Sequence, residues 1–213
     1  MRLPWLRYIF FQWIVRPIIR IFLGLHIRHP QRLPQHGPAI LIANHNSHLD
    51  TMVLMSLFPW LVQKHIAPIA AADYFLHTRW LAWFAQSIIG IIPLHRKMGQ
   101  STKHGLFQIQ KALDARKILI FYLEGSRGQP ELMSELKRGI AYLVKQRPAV
   151  PIYPIFLYGL GKALPKNEAL LVPFGIDVII GEPLFWQGDA DAFMTQIKTS
   201  FAQLQQELPT SHF

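Results

Sequence analysis

Apolar positions along the chain follow two alternating rhythms. Short runs of consecutive apolar residues, the pattern of strands buried on both faces, occupy residues 39–43, 67–71, 90–94, 118–123 and 150–156, with one or two more within 170–180. Between them, apolar residues recur every three or four positions, as on one face of a helix. Such stretches lead on from Ser47 through Met52, Val53, Leu54 and Leu57, and cover 74–87, 100–113, 131–146 and 189–208. In the last of these, Phe193, Ile197, Phe201, Leu204 and Leu208 form the stripe. Residues 26–38 carry three Pro and one Gly and read as a loop. Strands that alternate with helices predict an α/β fold, with a mixed, largely parallel sheet flanked by helices.

Residues 4–24 follow neither rhythm. Pro4 suits a helix start and Gly24 a stop. Gln12, Arg16 and Arg20 share one narrow face, Arg7 lies off it, and most of the remaining surface is Trp, Phe, Ile and Leu. Pro17 is expected to kink or split the helix. The longest uncharged piece, Tyr8 to Val15, spans only ~12 Å at 1.5 Å per residue, against a hydrocarbon core of ~30 Å. Arg16 at mid-bilayer would cost a further ~2.5–3.5 kcal/mol. The segment therefore reads as an amphipathic helix or helix pair lying in a membrane surface, with its Arg among the headgroups, ahead of a core helix or a spanning one. The helix at 74–87, with Trp80, Trp83 and Phe84, admits packing or a second membrane contact, and packing is the expectation. The domain division is then a membrane-associating segment at 1–25 and a catalytic domain at 26–213.

Charge narrows the partners. The 213 residues hold 22 Lys and Arg against 12 Asp and Glu, a formal net charge of +10. That balance favours an anionic partner: a bilayer, a phosphorylated substrate or nucleic acid. No nucleic-acid-binding motif accompanies it, so nucleic acid is not expected. The absence of Cys excludes disulfides, thiolate zinc sites and a Cys nucleophile. The 10 His are scattered and none forms a His-Glu-x-x-His pattern, so no metal site is expected.

Three strand exits carry candidate chemistry. The first is Asn44-His45-Asn46-Ser47-His48-Leu49-Asp50, where a strand hands over to a helix. An imidazole there can take a proton near pH 7, and a carboxylate can fix its tautomer. Ser47 and Asp50 are also spaced as a capping box, so a purely structural Asp50 stays open on spacing alone. The second exit, Gly90 to Lys97, presents Arg96 and Lys97, either as a phosphate grip or as solvated surface cations. The third runs from the 118–123 strand into Glu124-Gly125-Ser126-Arg127-Gly128, where the two Gly permit a tight turn close to a ligand.

Taken in order, these blocks resemble the glycerolipid acyltransferase family. Asn44 to Asp50 matches its Asn-His-x4-Asp motif, and Gly90 to Arg96 is similar to the block that ends in a phosphate-binding Arg. Phe121 to Gly128 looks like its Phe-Pro-Glu-Gly-Thr-Arg-Ser, Leu136 to Gly139 like its Phe-Lys-x-Gly, and Val150 to Pro154 like its apolar, Pro-containing block. The resemblance covers residues 30–185. Departures are Leu123 for Pro, Ser126 for Thr, Gly128 for Ser, and His95 where Asp is common. On this resemblance, His95 would change the charge around an acceptor head group.

The resemblance implies an O-acyltransferase of phospholipid biosynthesis. Acyl-ACP or acyl-CoA would be the co-substrate and no bound cofactor is expected. The acceptor would be a lysophospholipid, 1-acyl-glycerol-3-phosphate first, with glycerol 3-phosphate, other lysophospholipids and lyso-aminolipids as alternatives. A non-enzymatic membrane-surface protein is the rival class. His45 would be the general base, oriented by Asp50, and backbone N–H groups near the turns would hold the oxyanion. Arg96, Glu124, Gly125, Ser126, Arg127 and Lys137 would bind substrate, with the arginines on phosphate. Ser47 and Ser126 would cap or orient rather than attack. The expected location is the inner membrane, peripheral on its cytoplasmic face.

Overall fold

A computed structural model describes residues 3–47, 49–72, 78–94, 100–124, 136–163 and 174–208 of the chain. The chain opens with α1 (Pro4–Ile9), a π-helical turn (Phe10–Val15) and α2 (Arg16–Phe22), and continues directly into β1 (Leu23–Arg28). A 3-10 turn (Pro30–Arg32) leads to β2 (Ala39–Ala43), α3 (Leu49–Ser56), α4 (Trp60–Gln63) and β3 (Ile66–Ala71). Then come α5 (Arg79–Phe84) with a second π turn (Ala85–Ile89), β4 (Ile92–Leu94), α6 (Gln100–Asp114) and β5 (Ile118–Tyr122). The described chain ends with α7 (Gly139–Lys145), β6 (Ile152–Tyr158), α8 (Leu160–Ala163), β7 (Phe174–Ile180) and α9 (Ala190–Gln206).

The seven strands form one sheet in the order β1-β7-β6-β2-β5-β3-β4. Every pairing is parallel except β6 with β7. The expected α/β architecture with a mixed, largely parallel sheet is what the chain adopts.

The central strand β2 is inaccessible along its whole length. Its side chains alternate between two apolar layers, as the pleat demands. Ile40 and Ile42 join residues of α6, α7 and α9 on one face. Ala39, Leu41 and Ala43 join Phe11, Val15 and Ile19 of the N-terminal helix, Val53 and Leu54 of α3, and Ala85 and Ile89 of the second π turn on the other.

Several expectations need correction. Gly24 does not stop a helix and residues 26–28 are not loop: β1 extends the sheet, pairing Leu23–Arg28 with Phe174–Ile179, and it crosses the boundary drawn at 25/26. Pro17 lies inside a continuing helical segment. The π turn just upstream, where the Arg16 N–H donates to the Phe11 carbonyl, absorbs the break that a missing amide would cause. Arg16 does not reach outward to headgroups: it donates to Gln12 Oε1 at 2.9 Å and to the Phe58 carbonyl at 2.6 Å. The helix drawn at 131–146 begins at Gly139, and residues 131–135 lie outside the described ones. Lys137 N–H donates to the Leu123 carbonyl at 2.9 Å, so 136–138 ties back to the end of β5 instead of winding. The helix drawn at 74–87 is described from Arg79, after Thr78, whose Oγ1 accepts from Leu81 N–H. Packing accounts for Phe84, which meets Phe10 edge-on at 5.2 Å, but not for Trp80 and Trp83, which are 81% and 43% exposed. Among the described residues no helix is long and apolar enough to cross a membrane.

Candidate active site

β2 and β5 run parallel side by side, with Ala43 opposite Tyr122. Their carboxyl ends therefore deliver His45 and Glu124 to the same edge of the sheet, where open α/β sheets carry their sites. The backbone just past β2 is fixed by Asn44, whose side chain donates to the Leu157 carbonyl at 2.8 Å and accepts from Leu157 N–H at 2.8 Å. Asn46 donates to the same carbonyl at 3.2 Å. This buried clamp joins the β2 exit to β6, so the His45 turn is held from below.

Asp50, in the first turn of α3, is fully buried. Its Oδ2 accepts from three donors: His45 Nδ1 at 2.8 Å, Asn46 N–H at 2.7 Å and Ser47 N–H at 2.9 Å. Ser47 Oγ accepts from Leu49 N–H at 3.3 Å. The capping and the orienting readings of Asp50 thus describe one atom. The same oxygen that closes the helix N-terminus also holds the imidazole. With Nδ1 as donor to Asp50, Nε2 is the acceptor of the neutral ring. The His45 side chain is 21% exposed, so the turn does not seal it off. Burial pushes the Asp50 carboxyl above its ordinary value; the His45 contact and the N–H groups of Ser47 and Asn46 pull the other way without cancelling that rise.

Glu124 reaches across from β5, and its carboxylate accepts the His45 N–H at 3.0 Å. The side chain is 4% exposed. The N–H groups of His45, Asn46 and Ser47 are therefore all taken by carboxylates. These three are thus not free to hold an oxyanion, and the N–H groups of the turn at 125–128 lie outside the described residues.

Sequence reasoning passed over Tyr122. Its ring stacks on His45 with centroids 4.1 Å apart and planes 18° from parallel, and its hydroxyl meets Thr51 Oγ1 at 2.8 Å. Burial, with Asp50 beside it, holds the phenol well above its ordinary pKa, so the ring over His45 stays neutral. The available signal was the parallel pairing of β2 with β5, which sets position 122 against the start of the His45 turn.

Of the other expected site residues, Lys137 lies near Glu124 along one cavity, with its side chain exposed. Arg96, Gly125, Ser126 and Arg127 lie outside the described residues.

At the carboxyl edge of the sheet, a buried carboxylate orients an imidazole whose Nε2 can accept a proton from a hydroxyl placed against it. The chain belongs to the Acyltransferase family, whose model matches residues 24–158. It is 28% identical over 184 residues to the chloroplastic 1-acyl-sn-glycerol-3-phosphate acyltransferase LPAT1 of Arabidopsis thaliana, covering 85% of this chain and 49% of that protein. To the human 1-acyl-sn-glycerol-3-phosphate acyltransferase beta it is 27% identical over 147 residues, covering 67% of this chain and 50% of that protein. The chain thus spans about half the length of these relatives. The crystal structure of the 1-acyl-sn-glycerophosphate acyltransferase PlsC from Thermotoga maritima shares the fold, with a TM-score of 0.68 at 17% identity over 93% of this chain and 82% of that one.

Proposed function

We propose that the chain transfers a fatty acyl group from an acyl thioester, acyl-ACP or acyl-CoA, to the free hydroxyl of a lysophospholipid, with 1-acyl-glycerol-3-phosphate as the first acceptor. The observation that carries this reading is the 2.8 Å contact from His45 Nδ1 to the buried Asp50, inside the segment that matches the family. The names of the relatives support the acceptor.

In this mechanism His45 Nε2 takes the hydroxyl proton as the oxygen attacks the thioester carbonyl. The tetrahedral intermediate collapses, the C–S bond breaks, and the imidazolium returns the proton to the thiolate. Asp50 keeps Nδ1 as donor throughout, and Tyr122 covers one face of the ring. No acyl-enzyme is needed, and the reaction balances between its two substrates. A positioned base is typically worth ~10²–10⁴-fold. Arg96 and Arg127 bind the acceptor phosphate in this reading, while Glu124 holds the His45 turn.

Substrate and product are lipids whereas the donor is soluble, so the reading includes a peripheral position on an anionic membrane, at the cytoplasmic face of the inner membrane. The N-terminal helix supports it by exposing Trp5, Ile9, Trp13, Ile14 and Ile21 while Phe11, Val15 and Ile19 face the core.

The test is purified protein with labelled acyl-CoA and acyl-ACP against 1-acyl-glycerol-3-phosphate, glycerol 3-phosphate, other lysophospholipids and a lyso-aminolipid. Transfer to 1-acyl-glycerol-3-phosphate is expected, falling by at least ~10²-fold in His45→Ala with an unchanged circular dichroism spectrum. Transfer to a different acceptor alone would revise the substrate. Retention of more than about a tenth of the rate in His45→Ala, against the loss expected for a missing base, would overturn the mechanism.

A further inference from the structure

Beside Glu124 lies a cavity of about 680 Å³, bounded by residues 136–138 on one side and by α9 on the other. Leu136 and Met194, both buried, give it apolar walls, and Lys137, Arg138 and Lys198 give it cations. Arg138 is neutralised by an ion pair with Asp191. Lys137 and Lys198 are exposed and make no ion pair among the described residues. Glu124 is buried, with its carboxylate on the His45 N–H, and the lining as a whole keeps a net positive charge, three cations against the carboxylates of Glu124 and Asp191. The cavity thus joins an apolar lining to two uncommitted positive charges, one residue away from the base's own turn.

Its place in the layers says which substrate it faces. The exposed Trp of the N-terminal helix and of α5 belong to the layer that holds Phe11, Val53 and Ala85. The cavity belongs to the opposite layer, between residues 136–138 and α9. His45 stands between them at the sheet edge. A lipid acceptor arrives on the side of the exposed tryptophans, and a soluble donor has the α9 side left to it.

From this arrangement, which rests on the acyl-transfer reading, we infer that the cavity is a phosphoester subsite for the thioester donor. The phosphopantetheine arm lies against Leu136 and Met194, and its phosphate meets Lys137 and Lys198. A flexible arm that ends in a phosphate matches an apolar wall that ends in ammonium groups.

Two measurements on the whole 213-residue chain test this, using Lys198→Glu with Lys198→Arg as the conservative control. Lys198 is exposed on α9, so the fold should tolerate both changes. In calorimetric titration with coenzyme A, Lys198→Glu is expected to weaken Kd by about tenfold, the scale of one charge-assisted contact reversed, and Lys198→Arg to keep it. In the transfer assay, Lys198→Glu should raise the donor KM and leave the acceptor KM as it is. Its preference for acyl-CoA over a phosphate-free acyl-N-acetylcysteamine thioester should shrink to match. Coenzyme A binding Lys198→Glu as tightly as wild type overturns the subsite, and so does a rise in acceptor KM with the donor KM constant. Failure of the acyl-transfer reading has a different signature: the wild type transfers nothing, while the titration still reports on the subsite.

Discussion

At the scale of single residues, the site turns on Asp50 serving two structures with one oxygen. That sharing has a cost which can be measured. The carboxyl pKa is raised in the folded state, chiefly by burial. A carboxyl with a raised folded-state pKa adds stability that is full below the unfolded-state value and is lost as pH rises through the folded-state one. At neutral pH the buried carboxylate therefore weighs against the fold relative to a neutral isostere. Asp50→Asn keeps an oxygen for the three donors and removes the charge. Its thermal midpoint at pH 7 is expected to equal or exceed that of the wild type, while transfer falls by about 10²–10⁴-fold through loss of imidazolium stabilisation. Lowering the pH through the folded-state carboxyl value should narrow the difference in midpoint, because the wild-type side chain then becomes neutral as well. Melts followed by circular dichroism at pH 7 and pH 5 check the sign. A variant well below the wild type at pH 7, or a gap that widens on acidification, would contradict it.

At the scale of elements, the periods of the sequence located most strands and helices, and they failed where two periods overlap. Leu23, Leu25 and Ile27 alternate with Gly24, His26 and Arg28, which is a strand pattern. It was hidden because it follows an apolar helix with no break between them. The buried stripe of the N-terminal helix was hidden for a related reason. On a regular helix each step of four residues advances about 40°, so positions 7, 11, 15 and 19 would wind off one face. The π turn takes back much of that drift, and all four are buried. Arg7 thereby joins the buried stripe, where its guanidinium donates to the Gln63 carbonyl at 2.8 Å and the Ile66 carbonyl at 3.0 Å. Gly90, at φ +78°, passes close to it: a Cβ there would lie 3.0 Å from Arg7 Nη1. Arg7→Ala would leave two buried carbonyls without this donor, and at ~1–3 kcal/mol each the variant is expected to lose about 2–6 kcal/mol. Urea unfolding measures this directly. A loss within about 0.5 kcal/mol, the size of an ordinary surface change, would show that the helix is docked by its apolar stripe alone. The contact between His45 and Asp50 was more legible than these elements, because a His and an Asp five positions apart at a strand exit constrain each other locally. Tyr122 was not, since its role exists only once β5 lies against β2.

At the scale of the whole molecule, the acyl-transfer proposal raises the question of which surface would meet a bilayer. The sequence alone points to deleting residues 1–24, but the fold makes that a poor test. Phe11, Val15 and Ile19 are core residues, and Leu23 and Gly24 pair with β7, so the deletion would remove part of the domain. The exposed aromatics offer a cleaner one. Trp5 and Trp13 on the N-terminal segment are 59% and 74% exposed, and Trp80 and Trp83 on α5 add a second element on the same side of the sheet. Phe10 against Phe84 holds the two elements together. Tryptophan favours the membrane–water interface, where its ring is buried and its N–H stays wet. With ~1.5–3 kcal/mol for fully burying a large apolar side chain, each exposed Trp supports up to about a hundredfold change in partitioning. Trp13→Ser and Trp80→Ser are each expected to weaken binding to anionic phospholipid vesicles by up to that factor, and the double variant by more than either. Thermal stability should stay within about 0.5 kcal/mol of wild type, since little of these rings is buried in the protein. The net charge of +10 adds a contribution that salt screens, so the aromatic loss should persist at high ionic strength while overall binding falls. Vesicle sedimentation at two salt concentrations separates these effects. If Trp80→Ser binds like the wild type while Trp13→Ser does not, α5 stands clear of the bilayer and the docking face shrinks to the N-terminal helix.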